Sequence, residues 1–262
     1  MKKVLPALLL GLFPNLVLAH DTWLLPDRWR VGSGEALGFT LTSGMGFPAP
    51  ETAVKGERLA VRSLRFGGQT ALLDLGASDR ALHLSARSKG EGVAVAWIAT
   101  RERSLSLTPK QVEEYLAEIG ATETVGPAWK KSGQAAWRET YVKLAKSFVR
   151  VGAADDRSWA EPVGLARELV PASDPTRLTV GDTLRLRLLS QGQPLPDFPV
   201  GVVPAPPARA RLLRTDAEGR LSDVLDQLGP WMLRVTLIRP SETRPGEWDS
   251  AFTTLTLSVQ AR

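Results

Sequence analysis

Alternating apolar and polar positions run through most of the chain. Residues 59–66, 70–75, 81–86 and 92–100 each read as a strand, and turn residues separate them: Gly67-Gly68, Gly76-Ala77-Ser78-Asp79 and Lys89-Gly90-Glu91-Gly92. Ahead of them, Trp23-Leu24-Leu25-Pro26 and residues 36–41 form a further pair of strands around the turn Val31-Gly32-Ser33-Gly34-Glu35. This density of short strands and turns predicts an all-β sandwich. A second series starts near residue 165, carries leucines at 184, 186 and 188, turns at Asp216-Ala217-Glu218-Gly219-Arg220, and closes with strong strands at 229–237 and 253–259. Its pattern is that of a small immunoglobulin-like or prealbumin-like sandwich.

Between the two series the period changes. Thr108 is a helix N-cap with Pro109 at the first helical position, Gln111 at the capping-box position and Gly120 as terminator. Val112, Tyr115, Leu116 and Ile119 form one apolar face. A second helix is predicted over 134–149, where Trp137, Tyr141, Leu144, Ala145 and Phe148 fall on one stripe and Arg138, Lys143, Lys146 and Arg150 lie off it. The expected fold class is therefore all-β with a helical insertion, made of two β-sandwich domains: residues 20–160, with a helical hairpin at about 108–150, and residues 161–262. Tyr141, Lys143 and Lys146 would either wall a site or form a solvated face.

The first residues read as an export signal. Lys2 and Lys3 precede an apolar run from Val4 to Leu18, and Val17-x-Ala19 supplies small side chains for cleavage, so residues 1–19 are expected to be removed just before His20. The run is short and interrupted, and no later stretch approaches the ~20 apolar residues of a membrane-spanning helix. No span is expected after cleavage.

Composition narrows the chemistry. Formal charge is +5, or +3 without Lys2 and Lys3, and basic residues are interspersed with acidic ones, which argues against nucleic acid as a partner. The absence of cysteine excludes disulfides, thiolate metal sites and cysteine nucleophiles, and the two histidines, His20 and His83, exclude a histidine-rich site.

A chain beginning at His20 would present an α-amine beside an imidazole, two nitrogen donors that can chelate one metal ion and that, with a second imidazole, would form the nitrogen-rich set suited to copper(II) or nickel(II). The competing reading is a histidine that only anchors the first strand. Candidate further donors are His83, Met45 and Asp21. His83 lies between Leu82 and Leu84 and so faces away from them, at the surface or in a groove. Met45, in the Gly/Pro loop Ser43-Gly44-Met45-Gly46-Phe47-Pro48-Ala49-Pro50, is either a soft ligand for copper(I) or a packing residue. Asp21 would ligate or orient the imidazole.

Several motifs together resemble one family. Ala19-His20-Asp21-Thr22-Trp23-Leu24, Thr42-Ser43-Gly44-Met45-Gly46-Phe47-Pro48, Tyr141-Val142-Lys143-Leu144-Ala145-Lys146, Thr215-Asp216-Ala217-Glu218-Gly219-Arg220, and Trp248-Asp249-Ser250 before Thr253-Thr254-Leu255 are similar, in order, to the NikM-like periplasmic domain family, domain of unknown function 4198. The resemblance implies an exported, periplasmic, β-rich protein of a group often associated with nickel or cobalt uptake and suspected of metal binding; the expected partners are a metal ion and a membrane transporter component. It carries over His20, with Tyr141, Lys143 and Lys146 as weaker matches; His83 comes from the residues alone. Relatives resemble Tyr-Thr-Lys-His-Ala-Lys, or its tyrosine variant, where this chain has Leu144. If that side chain partners the N-terminal histidine in relatives, it is lost here. The expected function is periplasmic transition-metal binding or uptake assistance with a copper or nickel/cobalt ion, without enzymatic activity. The alternative is a metal-free interaction module of an envelope transport system. A copper oxidative enzyme would need a second imidazole beside His20.

Overall fold

The computed structural model describes residues 20–262 apart from 207 and 208; the expected signal peptide lies outside the described residues. Among them, strands form three sheets. The central sheet has ten strands, ordered Arg211–Arg214, Pro199–Pro204, Gly229–Pro240, Trp248–Val259, Trp137–Val151, Gly92–Thr100, Leu59–Phe66 and Gln69–Leu72, with Arg103–Leu107 and Arg30–Val31 also paired to Trp137–Val151. A front sheet is built from Asp21–Pro26, Ala36–Gly44, Leu82–Arg87 and Asp74–Ala77, with Thr52–Ala53 on Ala36–Gly44. A back sheet joins Arg167–Pro171, Thr183–Ser190 and Gln193–Pro194, with Arg220–Val224 on the middle strand. The mostly-β architecture with a small helical insertion is thus as expected. The central sheet draws strands from both sides of residue 160, and Trp137–Val151 pairs in parallel with Trp248–Val259 at its middle.

Alternation along the central strands assigns the two faces. In Gly92–Thr100, Val93, Val95 and Trp97 enter the core under the back sheet, while Ala94, Ala96 and Ile98 enter the core under the front sheet. In Trp137–Val151, Leu144 and Phe148 go to the back, and Ala145, Val149 and Val151 to the front. A period of two with both faces covered is the signature of an interior strand.

This corrects the expectation of a helix over 134–149. The segment is the fifteen-residue strand Trp137–Val151. Burial on both faces puts apolar residues at odd and even positions alike, so no clean alternation survives and a helical stripe arises by coincidence. Its cations are satisfied individually: Lys146 by Glu168 at 2.6 Å, Arg150 by Thr176, Asp174 and the Ala154 carbonyl, and Lys143 by the His20 carbonyl at 2.7 Å. The helical hairpin is shorter than expected, α1 Pro109–Glu118 and α2 Thr122–Ser132. α1 begins with the complete Thr108–Gln111 capping box. α2 carries an internal Pro127 and no side-chain cap, which hides it from a propensity reading, and it ends on Gly133 at φ 62°.

The hairpin packs on the front face of the central sheet. Trp137 stacks on Trp248 with centroids 4.3 Å apart and takes Trp129 edge-on at 5.4 Å, while Val112, Tyr115, Leu116 and Val125 complete the cluster. Beneath it Glu139 is buried, accepting hydrogen bonds from Trp137 Nε1 at 2.7 Å, Tyr115 Oη at 3.0 Å and Ser250 Oγ. Burial pushes its carboxyl above the usual range, against the lowering effect of those three donors. Along Trp137–Val151, the front face therefore passes from the helical cluster, through Lys143, to the front-sheet core.

Candidate site at the His20 end of the first strand

The strand Asp21–Pro26 is held on three sides. It pairs antiparallel with Ala36–Gly44, its Thr22 and Leu24 carbonyls accept hydrogen bonds from Thr254 and Thr256 hydroxyls at 2.6 and 2.5 Å, and Thr22 Oγ1 lies 2.6 Å from Ser43 Oγ. Trp23 is fully buried, with Phe47 edge-on at 5.7 Å and Met232 in the same cluster. Phe47 thus plugs the Gly/Pro loop down onto the strand.

At the start of this strand, Lys143 and Arg234 hold the two backbone-adjacent residues. Lys143 Nζ donates to the His20 carbonyl at 2.7 Å and lies 5.8 Å from the Phe252 ring centroid, and Tyr141 meets the same ring edge-on at 6.0 Å. Arg234 Nη1 donates to Asp21 Oδ2 at 2.7 Å. Both Asp21 and Lys143 are buried. Desolvation lowers Lys143 to about 8, with the nearby Asp21 carboxylate resisting and Arg58 assisting. Burial also raises Asp21, against the pull of Arg234. A cavity of about 240 Å³ opens beside Asp21, lined by Arg234, Arg211, Gly201 and the end of α1 at Ile119-Gly120. A methyl group on Gly201 would come within 2.8 Å of the Arg234 side chain, so the glycine makes room for the arginine stem.

His20 itself is half-buried, and its Nδ1 is buried with no hydrogen-bond partner among the described residues. A buried, unsatisfied ring nitrogen is costly. Nδ1 is also the ring atom that can close a six-membered chelate with an α-amine on the same residue, because Nε2 points away from the backbone. The donor set therefore fits a metal ion if the chain begins at His20.

The other sequence candidates separate. Gly44 is paired with Asp21, so Met45 belongs to the same end of the front sheet as His20, and it is 66% exposed. Asp21 is committed to Arg234. His83 pairs with Thr40, which pairs with Leu25, so strand register places it two strands across and roughly 17 Å along from His20. It is exposed, with Nε2 3.2 Å from Ser78 Oγ. The third donor expected from His83 is not brought to the site, and the two-imidazole set of an oxidative copper centre is not assembled. Among the described residues no group of three or more His, Cys, Asp or Glu side chains is arranged to hold a metal ion.

The strand geometry also divides the Tyr141–Lys146 motif. On a helix Lys143 and Lys146 would share a face; on the strand Tyr141 and Lys143 face the His20 end, and Lys146 faces the back sheet. Leu144 enters the back core with Lys146. A histidine at that position would point away from His20, so Leu144 removes no donor from this site. Arg234, Arg58 and Phe252 are the site residues that sequence reasoning missed. A lone arginine inside the apolar run Trp231-Met232-Leu233-Arg234-Val235 was the available signal for the first.

Residues 17–239 match the family described as a domain of unknown function, DUF4198. The chain belongs to the DUF4198 family. No curated protein matches the sequence. A DUF4785 family protein from Legionella pneumophila subsp. pneumophila is similar at 10% identity and a TM-score of 0.24, over 80% of this chain and 50% of that one. This chain spans about half the length of that protein, and so weak a likeness carries no argument about either fold or function. No helix among the described residues is long and apolar enough to cross a membrane.

Proposed function

We propose that this DUF4198 protein is exported to the periplasm and binds a transition-metal ion, copper or nickel/cobalt, at a processed N-terminus, as a carrier or an accessory of metal uptake. The single observation that supports the reading is the buried, unpartnered Nδ1 of His20 at the beginning of a rigidly held strand. The α-amine and Nδ1 of His20 are the primary ligands. Met45, at the same end of the front sheet by register, would be a soft donor, with solvent in the remaining positions. Lys143 fixes the His20 carbonyl and so the direction in which the amine leaves the strand; Tyr141 and Phe252 support Lys143. Lys143, Arg58 and Arg234 outnumber the Asp21 carboxylate, and this surplus of positive charge favours neutral nitrogen donors and an ion carried with its own anionic ligand over a bare, carboxylate-bound cation.

Mass determination of the exported N-terminus, then titration calorimetry of copper(II) and nickel(II) against wild type, His20→Ala and a form with one extra residue before His20, tests the reading. Stoichiometric binding to wild type alone is the expected result. The extended form keeps the imidazole and displaces the amine, so equal binding by all three proteins would reject the site. A melting temperature unchanged by copper, nickel or chelator would favour the metal-free module, because a ligand of the folded state must stabilise it.

A further inference from the structure

The back sheet carries an arginine-lined cavity of about 1120 Å³ that has no part in the His20 site. Arg157, Arg185, Arg187, Arg214 and Arg220 line it, and Asp216 is the one carboxylate in the lining. Strand register explains how the charges converge. Leu184, Leu186 and Leu188 turn into the core, which turns Arg185 and Arg187 of the same strand outward. Arg187 then pairs directly with Arg220 on the neighbouring strand, with Val170 as its partner on the other side, and Arg185 pairs with Ser222.

Like charges directly opposite across a strand pair are destabilising. Several arginines elsewhere in the protein are matched, among them Arg28 with Glu35, Arg239 with Glu242 and Arg244 with Asp249. In the cavity Arg214 and Arg220 reach Asp197 and Glu218, but Arg157, Arg185 and Arg187 form no ion pair among the described residues. The lining is mixed: Val170, Leu189 and Pro194 give it an apolar part, with Val170 and Leu189 buried, and Thr215 and Ser222 add hydroxyls.

We propose that this cavity binds a small, soluble organic molecule bearing at least two phosphate groups. Guanidinium forks match phosphate oxygens bidentately, and a phosphate group accepts from several arginines at once, whereas a carboxylate is saturated by one or two forks. The apolar part of the lining receives the body of the ligand. The concave shape, just above the ~300–1,000 Å³ range of small-molecule sites, fits a small ligand in an open pocket better than a membrane surface.

Inorganic pyrophosphate is the probe, titrated into the full chain by calorimetry at low ionic strength, with citrate and vesicles of phosphatidic acid in phosphatidylcholine as comparisons. Binding of pyrophosphate tighter than citrate is expected, with at least about tenfold loss in Arg185→Gln/Arg187→Gln and a smaller loss in Arg220→Gln. The distant pair Arg28→Gln/Arg239→Gln and the variant His20→Ala should bind as wild type, which separates this site from bulk charge and from the metal site. Melting curves without ligand confirm that each variant is folded. Equal binding by the Arg185/Arg187 variant, equal loss in the Arg28/Arg239 control, preference for citrate, or binding to vesicles without binding to pyrophosphate would each overturn the proposal.

Discussion

Lys143 and Lys146 stand three residues apart on one strand, both buried, and burial lowers both to about 8. Their surroundings differ completely. Lys146 is sealed between the central and back sheets against Glu168, whose carboxylate also accepts the Val163, Gly164 and Leu165 amides. Lys143 meets no carboxylate of its own, since Asp21 is taken by Arg234, and ends on a backbone carbonyl next to a half-buried histidine. A perturbed amine is thus informative only with its partners: the first lysine fastens a connection to the sheet, and the second aims the beginning of a strand.

The sharpest way to break this contrast is Glu168→Ala. It strands a buried ammonium and three amides, and should cost about 3–5 kcal/mol in urea denaturation; a loss below about 1 kcal/mol would mean that Lys146 finds water. Next, Leu144→His places a polar ring in the back core and should cost about 2 kcal/mol without raising copper or nickel affinity; tighter metal binding would show that this side chain does reach His20. Lys143→Met removes the hydrogen bond to the His20 carbonyl at about 1 kcal/mol, a smaller stability effect, but should speed amide exchange at Thr22 and weaken metal uptake, neither of which Lys146→Met should do.

The pH dependence has a definite sign. Lys146 is lowered from 10.5 to about 8 by burial, with Glu168 opposing the shift, so the unfolded chain holds this proton more strongly than the folded one. Below about pH 8 both states are protonated and the contribution is flat. As pH climbs from about 8 towards 10.5 the folded state gains stability from this group, and wild type should gain on Lys146→Met in paired urea melts over that window. The smallest effect expected is that of His83→Ala, within about 0.5 kcal/mol and with metal uptake unchanged.

The sequence carried the local features well and the long-range ones poorly. The capping box at Thr108, the strands Leu59–Phe66 and Gly92–Thr100, and the turn at Asp216–Arg220 depend on neighbours in the chain, and all are where the pattern places them. Trp137–Val151 was misread because both of its faces are covered, which is a property of sheets formed by residues far away. The candidate site has the same character. His20 was legible as a chemical possibility, but Arg234 meets Asp21 across 213 residues of chain, and only strand register reveals that His83 is elsewhere.

The parallel pairing of Trp137–Val151 with Trp248–Val259 has a consequence for how the molecule is made. The strand that completes the middle of the largest sheet is made about a hundred residues after the one it pairs with in parallel, and the family match ends at residue 239, before it begins. Until that segment arrives, the front core formed by residues 24–151 can close, but Trp137 lacks the stacked Trp248 ring and the Thr22 and Leu24 carbonyls lack the Thr254 and Thr256 hydroxyls. A fragment ending at the family boundary would share this defect, and coexpressing it with the missing tail is the direct way to see folding rescued.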